Sequence, residues 1–196
     1  MNIRKPRKAL TPHQCRELEH TWIEAARRGR PLNRMVTVRP LGALAPLDHA
    51  KLVDQTWNKL GVWSRYHGSG FFCILVREKQ ASSHEHFHVL IHVPSGKSAV
   101  FAKALARWFP PHEADIDIRP AHQRVSWTSA NKVRSAIGYL TKQRSPQAAW
   151  RTAYSRQRGD WVLGKRYRIT RNLLSYAAAA IAPPRAGDLN SSPRAA

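Results

Sequence analysis

The chain has 196 residues, 42% of them hydrophobic, with 33 Lys and Arg against 12 Asp and Glu. That length fits one domain with terminal extensions, and the hydrophobic share is enough for a core, which argues against global disorder. A formal net charge of +21 predicts affinity for polyanions, chiefly nucleic acid.

The cysteines and the N-terminal residues help to predict the cellular compartment of the protein. Cys15 and Cys73 are too few and too far apart for a disulfide framework or a cysteine-ligated zinc site. The first ten residues are basic but lead into no apolar core of a signal peptide. No apolar run approaches the ~18 residues that span a bilayer. We therefore expect a cytoplasmic protein with no membrane partner.

The first third of the chain predicts a helix, a strand and a second helix. A capping threonine at Thr11, a proline after it and a closing glycine at Gly29 favour a helix between them. The run RMVTVRP, ending at Pro40, alternates and contains β-branched residues, as is typical of a short strand. An apolar stripe with helical spacing follows over about residues 46–66.

The middle of the chain predicts a hairpin. GSGFFCILVRE is a continuous apolar run after two glycines, which indicates a strand ending at Glu78. The polar loop KQASSHE joins it to HEHFHVLIHVP, residues 84–94, as the partner strand. Beyond the hairpin, SGKSAVFAKALARWF predicts a helix, ADIDIRP a strand and SANKVRSAIGYLTKQ a further helix.

This order of elements predicts an α+β fold with a central antiparallel sheet and helices mainly on one face. We assign residues 1–30 to a basic N-terminal arm and helix, and residues 31–180 to the main domain. Residues 181–196 are rich in Pro, Ala, Arg and Ser, which predicts a disordered C-terminal tail.

The strand HEHFHVLIHVP separates into two rows because side chains alternate across a strand. Phe87 and its even-spaced neighbours form an apolar, core-facing row, whereas His86 and His88 point the other way. Two residues on one strand face are about 7 Å apart at the backbone, within reach of one metal ion. The alternative is a surface strand with incidental histidines. His84 and His92 are weaker candidates as ligands.

Glu78 supplies a third potential ligand. A symmetric hairpin through the seven-residue loop places Glu78 opposite His86 and on the same face. Two imidazoles and one carboxylate leave open positions for water or phosphate oxygens. Such mixed ligation suits Mn²⁺ or Mg²⁺ at a phosphate, and the ligand types do not exclude Zn²⁺.

Tyr139 and Lys142 lie off the apolar stripe of the predicted helix at residues 129–143. At 100° per residue, Tyr139 falls roughly 120° from the stripe, with Lys142 one turn later beside it. Taken alone, a tyrosine at the boundary of an amphipathic helix is the commoner interpretation. Beside a strand that carries candidate metal ligands, Tyr139 and Lys142 instead indicate a catalytic role.

The element HFH, with Glu78 before it and YLTK after it, resembles the motifs of the HUH endonucleases, most closely those of rolling-circle replication initiators of phages and plasmids. MVTVR, residues 35–39, is a weak counterpart of the family's first motif. The resemblance covers roughly residues 35–145. It implies a ferredoxin-like, RRM-like nuclease domain, metal ligation by His86 and His88, and Tyr139 as the nucleophile with Lys142 as its helper.

The order of the motifs along the chain indicates which class of HUH endonucleases the sequence resembles most. Conjugative relaxases carry the tyrosine before the histidines, whereas initiators and single-tyrosine transposases carry it after them. Position 143 is Gln143, not a second tyrosine, so a single nucleophile is implied. A glutamine there is familiar among the transposases, which remain an alternative. A lysine three residues after the tyrosine favours the initiators.

The resemblance implies nicking and joining of single-stranded DNA through a 5′-phosphotyrosine, in the initiation of phage or plasmid replication. A single-stranded or hairpin origin is the expected substrate, and a host helicase the expected partner. VPSGKSAVF has Gly-Lys-Ser after a strand, but Ile91 stands where a phosphate-binding loop needs its first glycine, so the chain offers no ATP-driven unwinding. A non-catalytic nucleic-acid-binding protein and a metallo-hydrolase that does not use Tyr139 stay open.

Overall fold

The computed structural model describes residues 9–80, 83–121, 126–127, 133–134, 136–148, 157 and 159–173. The described helices are α1 (Pro12–Arg27), α2 (Pro46–Tyr66), α3 (Ser98–Trp108) and α4 (Ala136–Leu140). The described strands are β1 (Arg34–Pro40), β2 (Cys73–Gln80), β3 (Ser83–Ile91), β4 (Ala114–Pro120), β5 (Ser126–Trp127), β6 (Val133–Arg134) and β7 (Tyr167–Ile169). The predicted tail at 181–196 and the first eight residues lie outside this range.

Five strands form one antiparallel sheet in the order β4-β1-β3-β2-β7, and β5 pairs with β6 separately. The sequence β1-α2-β2-β3-α3-β4 with that strand order is the ferredoxin-like arrangement, to which β7 adds an edge strand beside β2. The predicted α+β class with a central antiparallel sheet is confirmed.

The sheet is covered on both faces because its central strands are apolar on both. On one face, alternate residues such as Leu75 and Phe87 pack with Leu60 of α2 and Phe101 of α3. On the opposite face, the remaining residues of the central strands pack against α1 and α4. Members of that second cluster include Ile74, Val76, Leu90, Leu18, Trp22, Ile137 and Leu140. Helices α2 and α3 lie together on one face of the sheet, as expected. Helices α1 and α4 cover the other face.

Two local predictions are wrong. The helix predicted over residues 129–143 is limited to Ala136–Leu140, because Val133–Arg134 pairs with β5 instead. Its first residues, 129–132, lie outside the described range. The seven-residue hairpin loop is also shorter than predicted, since strand pairing continues to Gln80 opposite Ser83. A polar strand end can still pair through its backbone, which the hydrophobic pattern does not reveal.

The start of α1 agrees with the sequence. Thr11 accepts a hydrogen bond from the Gln14 amide, and the Gln14 side chain accepts one from the Thr11 amide, forming a capping box. This cap fixes the beginning of the helix that covers part of the second sheet face. No helix in the described part of the chain has the length and apolar character of a membrane span.

Candidate metal and tyrosine site

Glu78, His86 and His88 meet on the sheet face covered by α1 and α4. Glu78 is directly opposite His86 in the β2–β3 ladder, as the hairpin argument predicts. One potential ligand atom from each of the three side chains lies within 4.8 Å of the others. The Nε2 atoms of His86 and His88 are 3.5 and 3.3 Å from Glu78 Oε2.

The carboxylate of Glu78 is ionised although it is fully buried. Burial by itself opposes the charge. The contacts with His86 and His88 and the positive charge of Lys142 outweigh that effect and hold the pKa of Glu78 well below its usual range. The site therefore keeps a negative oxygen donor at any pH near neutrality.

His88 is buried and neutral. Burial is the main cause that lowers the pKa of its imidazole, and the neighbouring Lys142 and His86 act in the same direction. Contact with Glu78 raises the pKa of His88, but by less than the other causes lower it. A neutral imidazole has a free lone pair, which is the form that binds a metal.

Tyr139 and Lys142 reach the same site from α4 and the turn that follows it. The Tyr139 ring lies edge-on to the His88 ring, with centroids 5.2 Å apart. Lys142 Nζ is 2.8 Å from Glu78 Oε2 and 3.5 Å from the centre of the Tyr139 ring. The structure thus brings together all five residues that the sequence singled out.

The remaining histidines of this strand stand apart from that group. His84 is exposed at the start of β3, not in a loop as predicted. His92 Nδ1 is 2.9 Å from the Pro31 carbonyl oxygen, so its ring ties the strand end to the segment before β1. Neither belongs to the three-ligand cluster found among the described residues.

The donors fit a divalent cation. His88 Nε2 and Glu78 Oε1 are buried, and neither makes a hydrogen bond within the part of the chain described. Buried polar atoms without partners are costly, and a cation between them would satisfy both. Two imidazoles and one carboxylate on one side also leave coordination positions open for a substrate.

Sequence reasoning missed two groups that support the site. Thr37 of β1 contacts the far side of the His88 ring, Oγ1 to Nδ1, at 2.9 Å. Arg166, just before β7, donates to Gln143 Oε1 at 2.7 Å and to the Arg77 carbonyl at 3.2 Å. The alternation of RMVTVRP places Thr37 on the metal face once β1 is known to neighbour β3. No sequence signal locates Arg166.

Comparison with known proteins gives no relative: no family model, curated protein or solved structure matches this chain. The function is therefore argued from the site itself.

Proposed function

We propose that this chain is a metal-dependent endonuclease that nicks and rejoins single-stranded DNA through a 5′-phosphotyrosine. The observation that carries the proposal is the convergence of Tyr139 and Lys142 on the Glu78, His86 and His88 cluster. Glu78, His86 and His88 come from the β2–β3 hairpin, whereas Tyr139 and Lys142 follow His88 by more than fifty positions in the chain. A histidine cluster alone fits many metalloproteins, whereas a phenol edge-on to one of its histidines adds a nucleophile to the site.

Glu78, His86 and His88 would hold the cation, with Mn²⁺ or Mg²⁺ the ions proposed. A divalent ion in this place supplies charge neutralisation at the scissile phosphate. Tyr139 Oη attacks the phosphorus and forms the new ester bond. The bond from phosphorus to the 3′ oxygen breaks, and that oxygen takes up a proton as the phenol loses one. The tyrosyl ester keeps the DNA 5′ end ready for rejoining.

Lys142 supplies the second positive charge of the site. Its ammonium contacts both the Glu78 carboxylate and the face of the Tyr139 ring that carries the attacking oxygen. An ammonium there stabilises the phenolate that develops during attack and attracts a non-bridging phosphate oxygen. We assign Lys142 this catalytic role.

Replication initiation for a phage or plasmid is the biological role we favour, with a host helicase for unwinding. A single-tyrosine transposase is the alternative. In that class a glutamine after the tyrosine would be expected to serve the reaction. Gln143 here accepts hydrogen bonds from Arg166 at 2.7 Å and from the Lys79 amide at 3.4 Å, while Lys142 faces the cluster. That arrangement supports the initiator-like assignment.

The decisive experiment is a covalent adduct assay. The protein is incubated with Mn²⁺ and a pool of 5′- and 3′-labelled single-stranded DNA from candidate origins. We expect a denaturation-resistant protein–DNA adduct on the fragment whose 5′ end is created by cleavage. Tyr139→Phe should abolish it, because the attacking oxygen is removed.

Tyr66→Phe is the control, since Tyr66 is 84% exposed on α2, the helix that packs on the sheet face opposite to the cluster. It should form adduct as the wild type does. DNA cleavage that persists in Tyr139→Phe would point to a metallo-hydrolase that works without the tyrosine. Tight DNA binding with no cleavage by the wild type would point to a non-catalytic binding protein.

A further inference from the structure

Thr37 is the buried neighbour of His88 on the adjoining strand. The two residues are direct partners in the β1–β3 ladder, and they are 2% and 1% exposed. Their side chains meet between Oγ1 and Nδ1 at 2.9 Å. The hydroxyl is thus the partner of one ring nitrogen, and the other ring nitrogen faces Glu78.

The two nitrogens of His88 therefore have different surroundings. Nε2 is 3.3 Å from Glu78 Oε2 but makes no hydrogen bond within the described residues. A cation can bind Nε2 only if the ring proton is on Nδ1, since a neutral imidazole carries one proton. In a buried site that proton needs an acceptor, and Thr37 Oγ1 is at the right distance.

We propose that Thr37 is a positioning residue that accepts the Nδ1 proton of His88 and so directs the Nε2 lone pair at the cation. This inference rests on the proposed metal centre and assigns the group that orients one of its ligands. Groups behind a ligating histidine fix its tautomer and ring angle, and their loss commonly weakens metal binding 10–100-fold.

A purely structural role for Thr37 makes a different prediction. Valine has nearly the same shape as threonine, so it would fill the same space between the strands. It offers no acceptor, however, and the tautomer with the proton on Nε2, toward Glu78, becomes the better one. Serine keeps the hydroxyl and loses only a methyl group. The pair of variants separates packing from hydrogen bonding.

The experiment compares wild type, Thr37→Val, Thr37→Ser and Thr56→Val in the full chain. Thr56 is the matched control: it is also 2% exposed, but its hydroxyl bonds to the Leu52 carbonyl within α2. Mn²⁺ affinity is measured by calorimetry, and the His88 tautomer by ¹⁵N NMR of the ring before metal addition. Circular dichroism checks that each variant is folded.

We expect Thr37→Val to weaken Mn²⁺ binding about 10–100-fold and to move the ring proton to Nε2. Thr37→Ser should stay within a few-fold of wild type, and Thr56→Val should be unchanged. Equal Mn²⁺ affinity in Thr37→Val and wild type, or a wild-type proton on Nε2, would overturn the role of Thr37 alone. A wild type that binds no Mn²⁺ would instead remove the metal centre, and with it the proposed nuclease.

Discussion

At the scale of single residues, one carboxylate oxygen organises the site. Glu78 Oε2 lies within 3.5 Å of His86 Nε2, within 3.3 Å of His88 Nε2 and within 2.8 Å of Lys142 Nζ. The lysine and a bound cation are attracted to the same charge and repel each other. In the proposed mechanism, Lys142 would therefore lower the affinity of the cluster for metal while it supplies positive charge for the reaction.

Lys142→Met separates those two effects. We expect about tenfold tighter Mn²⁺ binding, because a nearby positive charge is removed, together with a large loss of DNA cleavage. Calorimetry and the adduct assay measure the two quantities. Lys79→Met is the control, since Lys79 pairs with Asp160 at 3.6 Å and should leave Mn²⁺ affinity unchanged. Weaker metal binding in Lys142→Met would mean that the lysine mainly holds Glu78 in place.

His88 also makes stability depend on pH. Its native pKa is lowered chiefly by burial, so the unfolded chain, with a histidine pKa near 6.5, binds a proton at a higher pH than the native state does. Stability from this group is thus present above about pH 6.5 and falls as the pH drops below it. We expect wild type to lose more unfolding free energy than His88→Asn as the pH falls from 6.5 to 5.5.

Urea unfolding at pH 7.5, 6.5 and 5.5 measures this difference. His92→Asn makes a useful comparison, since the pKa of His92 is likewise lowered mainly by burial. Identical pH dependence in wild type and His88→Asn would contradict a neutral, buried His88.

At the scale of elements, a buried arginine joins the edge strand β7 to the segment that follows α4. Arg166 is 1% exposed, and burial lowers the pKa of its guanidinium to about 10. It bonds to Gln143 Oε1, to the Arg77 carbonyl and to the Asp160 carbonyl. It therefore links the segment after α4 to β2 and to the chain leading into β7.

Arg166→Met tests that link. The substitution removes one charged donor from each of the Gln143, Arg77 and Asp160 oxygens, which we expect to cost about 3 kcal/mol of unfolding free energy. Denaturation by urea measures the loss. Arg39→Met is the control: Arg39 pairs with Asp115 on the surface, where the loss should stay below about 1 kcal/mol. Equal small losses in both variants would show that the Arg166 bonds contribute little.

The longer helices and strands with a clear period were predicted well, whereas the short strands β5, β6 and β7 were not predicted. The start of α1 follows from its cap at Thr11 and the proline after it. The segment around Tyr139 has a helical apolar spacing, yet Val133–Arg134 pairs with β5 and only five residues stay helical. Pairing with a distant strand competes with local helix formation, and the outcome depends on contacts that a local pattern does not contain.

At the scale of the whole molecule, the net charge of +21 predicts attraction to DNA, the proposed substrate. We expect affinity for single-stranded DNA to fall about a hundredfold between about 50 and 200 mM salt, as for contact with some five phosphates. Fluorescence anisotropy with an oligonucleotide measures it. His86→Ala should bind DNA with the same salt dependence but form no adduct. Affinity that is insensitive to salt would exclude phosphate contacts as its main source.

The sequence by itself determined the three candidate metal ligands, His86, His88 and Glu78. Strand alternation separates His86 and His88 from Phe87, and hairpin symmetry puts Glu78 opposite His86, because both depend on near neighbours in the chain. Only the tertiary structure decided which other side chains contact these ligands and the segment that carries Tyr139. Thr37 and Arg166 come from β1 and from the segment before β7, distant in sequence, and their contacts depend on sheet order and register. The local periodicity of a sequence carries no information about sheet order or about register.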